Sequence, residues 1–200
     1  MIDTRLRGKV AIVTGANHGI GAATAKALAR EGVRVLITYL RLGDDYTSSR
    51  EAIYKEKQAL SADKVVEEIK ASGGTAEAYE TDLSMVENIS QLFDKAEKVL
   101  GPVDILVNNA AYCDPDTFTP NEQSVEQKTG LSYSTITAET IDKHYAVNTR
   151  ANALMIEEFA KRQKNRGANW DTRGCGGCNC LSGFRASQVV DWSKTFCRRG

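Results

Sequence analysis

Eight residues near the N-terminus, Thr14-Gly15-Ala16-Asn17-His18-Gly19-Ile20-Gly21, have the composition and spacing to hold an anion with backbone groups. Their glycines form a G-x-x-x-G-x-G pattern. Gly15 permits a tight turn, Gly19 lets the main chain approach a diphosphate, and Gly21 lets the following helix pack close to the preceding strand. Amides at the start of a helix have no intrahelical acceptor and sit at the positive end of its dipole, so they attract phosphate. A glycine pattern of this kind carries weight only between a strand and a helix. Both flanks are predicted here. Val10-Ala11-Ile12-Val13 is an apolar run suited to a strand buried on both faces, and an alanine-rich helix from Ala22 to Arg30 is closed by Gly32.

The alternation continues. Val33 to Thr38 reads as a second strand, followed by a long polar stretch from Leu40 to Leu60. A helix carrying Leu60, Val65, Val66 and Ile69 precedes a third strand, Thr75 to Thr81. Ser84 can N-cap a helix with the stripe Val86, Ile89, Leu92/Phe93, Ala96 and Val99/Leu100. Val103 to Val107 is the fourth strand. Residues 112–136 read as an irregular loop, and a long helix is expected from Ala138 to Lys164. Strands alternating with helices imply an α/β fold, a Rossmann-like doubly wound parallel sheet with right-handed crossovers.

Two further side chains point to chemistry. Asn148 interrupts a stripe of Ile141, Tyr145, Ala151/Asn152, Met155 and Phe159, and a buried amide needs hydrogen-bond partners. Neighbouring backbone could supply them. The second strand ends Thr38-Tyr39-Leu40-Arg41, without the acid that would bind the ribose 2′-hydroxyl of NAD. A basic residue there suits the 2′-phosphate of NADP, so NADP is favoured over NAD, with Arg41 as its partner. The alternative for Arg41 is a solvated loop charge.

Thr14 to Gly21 resembles the T-G-x-x-x-G-[IL]-G signature of short-chain dehydrogenases/reductases. Asp82-Leu83 after the third strand, Asn108-Asn109-Ala110-Ala111 after the fourth, and Asn148 in the long helix follow in that family's order, and the similarity runs over about residues 7 to 165. The resemblance is nearest to the 3-oxoacyl-acyl-carrier-protein reductase type and related alcohol dehydrogenases. It implies NADP(H) held by Thr14, Gly15, Asn17, His18, Gly19, Ile20, Gly21, Arg41, Asp82, Leu83, Asn109, Ala110 and Ala111. His18 occupies a place where NADP-preferring members often carry a basic side chain. The resemblance also implies Asn148 as a catalytic residue, a small carbonyl or secondary-alcohol substrate, and a homotetramer or dimer. The family's strand order begins 3-2-1-4, and its later strands find no counterpart here, which leaves the outer edge of the fourth strand unpaired. Nor is the family's Tyr-x-x-x-Lys pair found. None of the seven tyrosines has lysine four residues on, and Tyr46 with Arg50 lies on the wrong part of the scaffold. The expected function is therefore an NADP-dependent oxidoreductase, or a catalytically silent dinucleotide-binding fragment.

Composition narrows the field. Lys plus Arg and Asp plus Glu number 26 each, so net charge argues for neither nucleic acid nor a membrane surface as partner. No apolar run approaches the ~18 residues of a membrane span, no signal peptide is evident, and a cytoplasmic location is expected. Residues 1–165 form the dinucleotide-binding domain. In 166–200 hydrophobic periodicity is lost and four of the five cysteines cluster: Cys175, Cys178, Cys180 and Cys197. Cys175-x-x-Cys178 has zinc-knuckle spacing, but Cys197 lacks a nearby partner and the tail has no histidine, so disorder is expected there and no metal site. A reading-frame change or truncation beyond Trp170 would explain the break. Sequencing the coding DNA checks this: the alternative frame should encode an apolar strand and a Tyr-x-x-x-Lys pair.

Overall fold

Five consecutive buried residues need cover on both faces, and the strand Val10–Thr14 (β1) has it. A computed structural model describes residues 4–41, 60–114, 116–119, 124–125, 132–167 and 188–191. Around β1 lie α1 (Gly19–Arg30), β2 (Arg34–Tyr39), α2 (Asp63–Ala71), β3 (Thr75–Glu80), α3 (Glu87–Leu100) and β4 (Ile105–Asn108). Strands β2 and β4 flank β1, and β3 adds outside β2, all parallel. Alternate residues of a strand face opposite sides. On one side Ala11, Val13, Val35 and Ile37 pack on the small residues Ala22, Ala25 and Ala29 of α1 and on Val65 and Ile69 of α2. On the other, Val10, Ile12, Leu36 and Leu106 meet Ile89, Leu92, Phe93 and Ala96 of α3 together with Met155 and Phe159.

The expected order 3-2-1-4 is found, and a further strand extends it. Within 112–136, which reads in sequence as irregular loop, three short strands form a separate sheet: β5 (Asp116–Thr117), β6 (Ser124–Val125) and β7 (Ser132–Thr135), in the order β5-β7-β6. The outer edge of β4 is not bare. Strand β8 (Gln188–Asp191), from the C-terminal tail, pairs with it in parallel, Ile105 opposite Gln188 and Asn108 opposite Asp191. The expectation that all later strands are missing is corrected to this extent. Pairing needs only backbone amides and carbonyls, so Gln-Val-Val-Asp can form an edge without the apolar run expected of a central strand. The tail cysteines lie outside the described residues, as does most of the polar stretch before Leu60.

The long helix is divided, contrary to expectation. α4 (Ala138–Tyr145) opens with a capping box between Thr137 and Thr140, a π-helical turn spans Ala146–Ala151, and α5 (Asn152–Asn165) follows. The wider turn changes the helix phase. Ile141 and Tyr145, expected in the buried stripe with Met155 and Phe159, are exposed. Ser84 does not cap α3 either. Val86 holds the N-cap position, and the Ser84 amide donates to Asp82 Oδ1 in a local turn.

Charged groups tie the layers together. Arg162 on α5 donates to Glu158, to Glu97 and Asp94 of α3 and to the Ser90 carbonyl, with its guanidinium 5.4 Å from the Phe93 ring centroid. At the opposite pole from the glycine turn, the buried Asp104 accepts the Val10 amide at 3.0 Å and meets Lys9 and Arg166 at 3.5 and 3.2 Å. Among the described residues no helix is long and apolar enough to cross a membrane, and no group of three or more metal-ligating side chains occurs. Phe93 is fully buried and also carries Arg162, so Phe93→Ala should lower unfolding free energy by about 3–5 kcal/mol, measured by urea titration.

Candidate functional site

The glycine turn lies at the bend between β1 and α1 and is fastened to the turn after β4. Thr14 Oγ1 accepts the amides of Asn109 and Ala110, each at 2.9 Å, and donates to the Val107 carbonyl at 3.4 Å. That uses the full bonding capacity of a hydroxyl. Asn109 Nδ2 returns two bonds of 2.9 Å to the carbonyls of Thr14 and Gly15. Thr14 is thus a buried strap rather than a wall of the site.

The three glycines act differently. Gly15 is left-handed at φ +62, and a Cβ there would lie 2.8 Å from Ala110 Cα. At Gly21 a Cβ would come within 2.5 Å of both Asn109 Nδ2 and the Gly15 carbonyl, so any side chain would force the turns apart. Gly19, at φ +59, has open space around its Cβ position. The Ala22 amide bonds back to the His18 carbonyl. The amides of Gly19, Ile20 and Gly21 therefore precede the first intrahelical bond, at the positive end of α1. His18, the extended N-cap residue, makes no side-chain capping bond. The neighbouring Asn17 amide donates to the Leu60 carbonyl at 2.9 Å, bracing the turn against the approach to α2.

A cleft of about 380 Å³ opens at this point, along the C-terminal ends of the parallel strands. Its walls include Gly15, Asn17, His18, Gly19 and Ile20 from the turn, and Asp82 and Leu83 after β3. Asn109, Ala110 and Ala111 complete the set of expected residues on the wall. Thr38, Tyr39, Leu40, Tyr112 and Val147 also line it, and sequence reasoning missed them. Tyr112 follows the Asn-Asn-Ala-Ala segment directly, so its position was within reach of the motif. Val147 comes from the π-helical turn, which has no compositional signal.

Asn148 lies within the π-helical turn Ala146–Ala151. Its amide brackets the backbone of Tyr112, accepting from the amide and donating to the carbonyl, both at 2.8 Å, and approaches His144 Nδ1 at 3.4 Å. His144 meets the Tyr112 ring edge-on, with centroids 5.0 Å apart. Asn148 therefore shapes the wall through Tyr112. Asp82 turns one carboxylate oxygen to its own loop at Ser84. The side-chain amide of Asn108 is buried with no partner among the described residues.

Arg41 departs most from expectation. It does not line the cleft, and its guanidinium is engaged by Glu80. Nε and Nη2 donate to Glu80 Oε2 at 3.0 and 2.7 Å, and Nε and the backbone amide donate to Oε1, both at 3.1 Å. These bonds hold the Glu80 carboxyl below its ordinary pKa and Arg41 above its own. Burial, then the charge of Glu80, raises the phenol of Tyr39.

The family model for short chain dehydrogenase matches residues 9–169. The chain belongs to that family. It is 36% identical over 166 residues to a short-chain dehydrogenase/reductase of Pestalotiopsis microspora, a match covering 83% of this chain and 51% of the relative. It is 35% identical over 164 residues to the chloroplastic NADPH-dependent aldehyde reductase 2 of Arabidopsis thaliana, covering 81% and 53%. Among solved structures, a short chain dehydrogenase of Burkholderia cenocepacia in complex with NADP superposes with a TM-score of 0.57 at 31% identity, covering 79% of this chain and 52% of that one. The chain spans about half the length of the curated relatives it matches.

The two helix-start glycines give a contrast. Gly21→Ala should cost about 2–4 kcal/mol, because Asn109 loses its place. Gly19→Ala should cost about 1 kcal/mol, the penalty of a left-handed residue alone. Urea unfolding of the two variants measures the difference.

Proposed function

We propose that this chain is the dinucleotide-binding half of an NADP(H)-dependent oxidoreductase of the short-chain dehydrogenase type, acting on a carbonyl compound or secondary alcohol, with 3-oxoacyl thioesters as a candidate substrate class. One observation carries the reading. The start of α1 opens into the crevice between β1 and β4, and Gly21 there has no room even for a methyl group. Such a turn admits a diphosphate to backbone amides and excludes the side chains that would block it.

The residues fit the cofactor as follows. The Gly19, Ile20 and Gly21 amides would face the diphosphate, and His18 would stand beside it. Asp82 and Leu83 form the wall that would receive the adenine, with Asn109, Ala110 and Ala111 toward the middle of the cleft. The bound cofactor would supply or accept a hydride at the substrate carbon. Asn148 fixes the backbone of Tyr112 and so sets the shape of that end of the site.

Reduction of a carbonyl also needs a proton donor. Without a Tyr-x-x-x-Lys pair the chain has no evident substitute, so we assign it dinucleotide binding with hydride transfer that is slow at best. The NADP relatives and the absence of an acid at the end of β2 favour NADP(H) over NAD(H).

Calorimetry with NADPH and NADH, run beside NADPH oxidation with ketones and 3-oxoacyl thioesters, tests the proposal. NADPH should bind more tightly than NADH, and at 100 times its Kd should stabilise the fold by about 2.7 kcal/mol. A melting temperature unmoved by either nucleotide would remove the proposed site.

A further inference from the structure

A 2′-phosphate approaching Arg41 meets a guanidinium already neutralised. Glu80 is the last residue of β3, and its backbone lies in register with Tyr39 of β2. The carboxylate is fixed from a strand, while Arg41 stands just beyond the end of β2. Three donor groups hold the carboxylate: Nε and Nη2 of the guanidinium and the Arg41 backbone amide. The first two form the fork with which arginine would grip a phosphate. The same carboxylate brings a negative charge to the place where a dianion would arrive, and the pair is exposed enough for an incoming ligand to compete.

We propose that Glu80 is a specificity-determining residue: by occupying the fork of Arg41 it weakens recognition of the 2′-phosphate and narrows the preference for NADP(H) over NAD(H). The inference rests on the dinucleotide reading of the cleft. NADH lacks the 2′-phosphate, so it neither competes for Arg41 nor meets the repulsion of Glu80. Glutamine keeps an acceptor for a ribose 2′-hydroxyl, so removing the carboxylate charge should act chiefly on NADPH.

The test is calorimetric, on the full chain, with NADPH and NADH against the parent protein, Glu80→Gln, Arg41→Gln and the double variant. Glutamine keeps the shape of Glu80 and one acceptor oxygen for Arg41, and the site is at the surface, so the fold should survive; circular dichroism melting confirms it. Glu80→Gln should tighten NADPH at least fivefold and leave NADH within twofold. Arg41→Gln in the Glu80→Gln background should erase the gain. If both nucleotides bind and Glu80→Gln leaves their ratio unchanged, the inference falls while the dinucleotide reading stands. Weaker NADPH binding in Glu80→Gln also overturns it, because Glu80 would then be presenting Arg41 to the phosphate. Absence of binding by either nucleotide to any of the four proteins overturns both the inference and the reading beneath it.

Discussion

The spacing of the crevice walls depends on one hydroxyl that bonds two backbone amides of the turn after β4. Thr14 ends β1, and the amides it accepts belong to the turn after β4, some 95 residues further along the chain. Parallel strands diverge at this point as their connections leave to opposite faces of the sheet, and the divergence makes the opening. Left alone, the two turns would be free to separate or collapse. The Thr14 hydroxyl and the Asn109 amide fix their spacing with five hydrogen bonds, counting the one from Thr14 to Val107. The tight packing at Gly15 and Gly21 is a result of that fixed spacing.

This arrangement separates the residues that build the site from those that face it. Thr14, Gly21 and Asn148 lie behind the wall. Gly15, Gly19, Ile20, Ala110 and Ala111 form its surface and offer backbone rather than reactive side chains. The wall thus presents main-chain groups along the glycine turn, with the side chains of His18, Tyr39, Asp82 and Tyr112 around them. The ion pair of Arg41 and Glu80 stands beside that wall, at the ends of β2 and β3.

Features with local physical causes were legible in the sequence. The glycine spacing states its own stereochemistry, and the buried run of β1 and the periodicity of Ile89, Leu92, Phe93 and Ala96 identified their elements. The four-strand order came from the resemblance rather than from the pattern. What the sequence hid depends on partners far along the chain or on backbone pairing. Glu80 reads as an ordinary strand-end acid, and nothing in its neighbourhood announces Arg41, 39 residues earlier. The π-helical turn changes hydrogen-bond spacing without changing composition, so Ile141 and Tyr145 fell into a stripe they do not join. β8 lacks the apolar run by which a central strand is found, yet four residues suffice to pair the edge of β4. Asn148 reads in sequence as a catalytic residue by resemblance or as an amide satisfied by backbone, and its partner Tyr112 lies 36 residues earlier, where no local pattern points.

The buried carboxylate of Asp104 gathers the first amide of β1, the lysine before it and an arginine just past the end of α5, so the two extremities of the Rossmann core are knotted at a single side chain. Five residues of strand at about 3.3 Å each put roughly 16 Å between that knot and the glycine bend. The knot and the bend therefore occupy opposite ends of the same buried strand. One end of β1 is thus fastened by side-chain charges to the end of α5, and the other by a hydroxyl and an amide to the turn after β4.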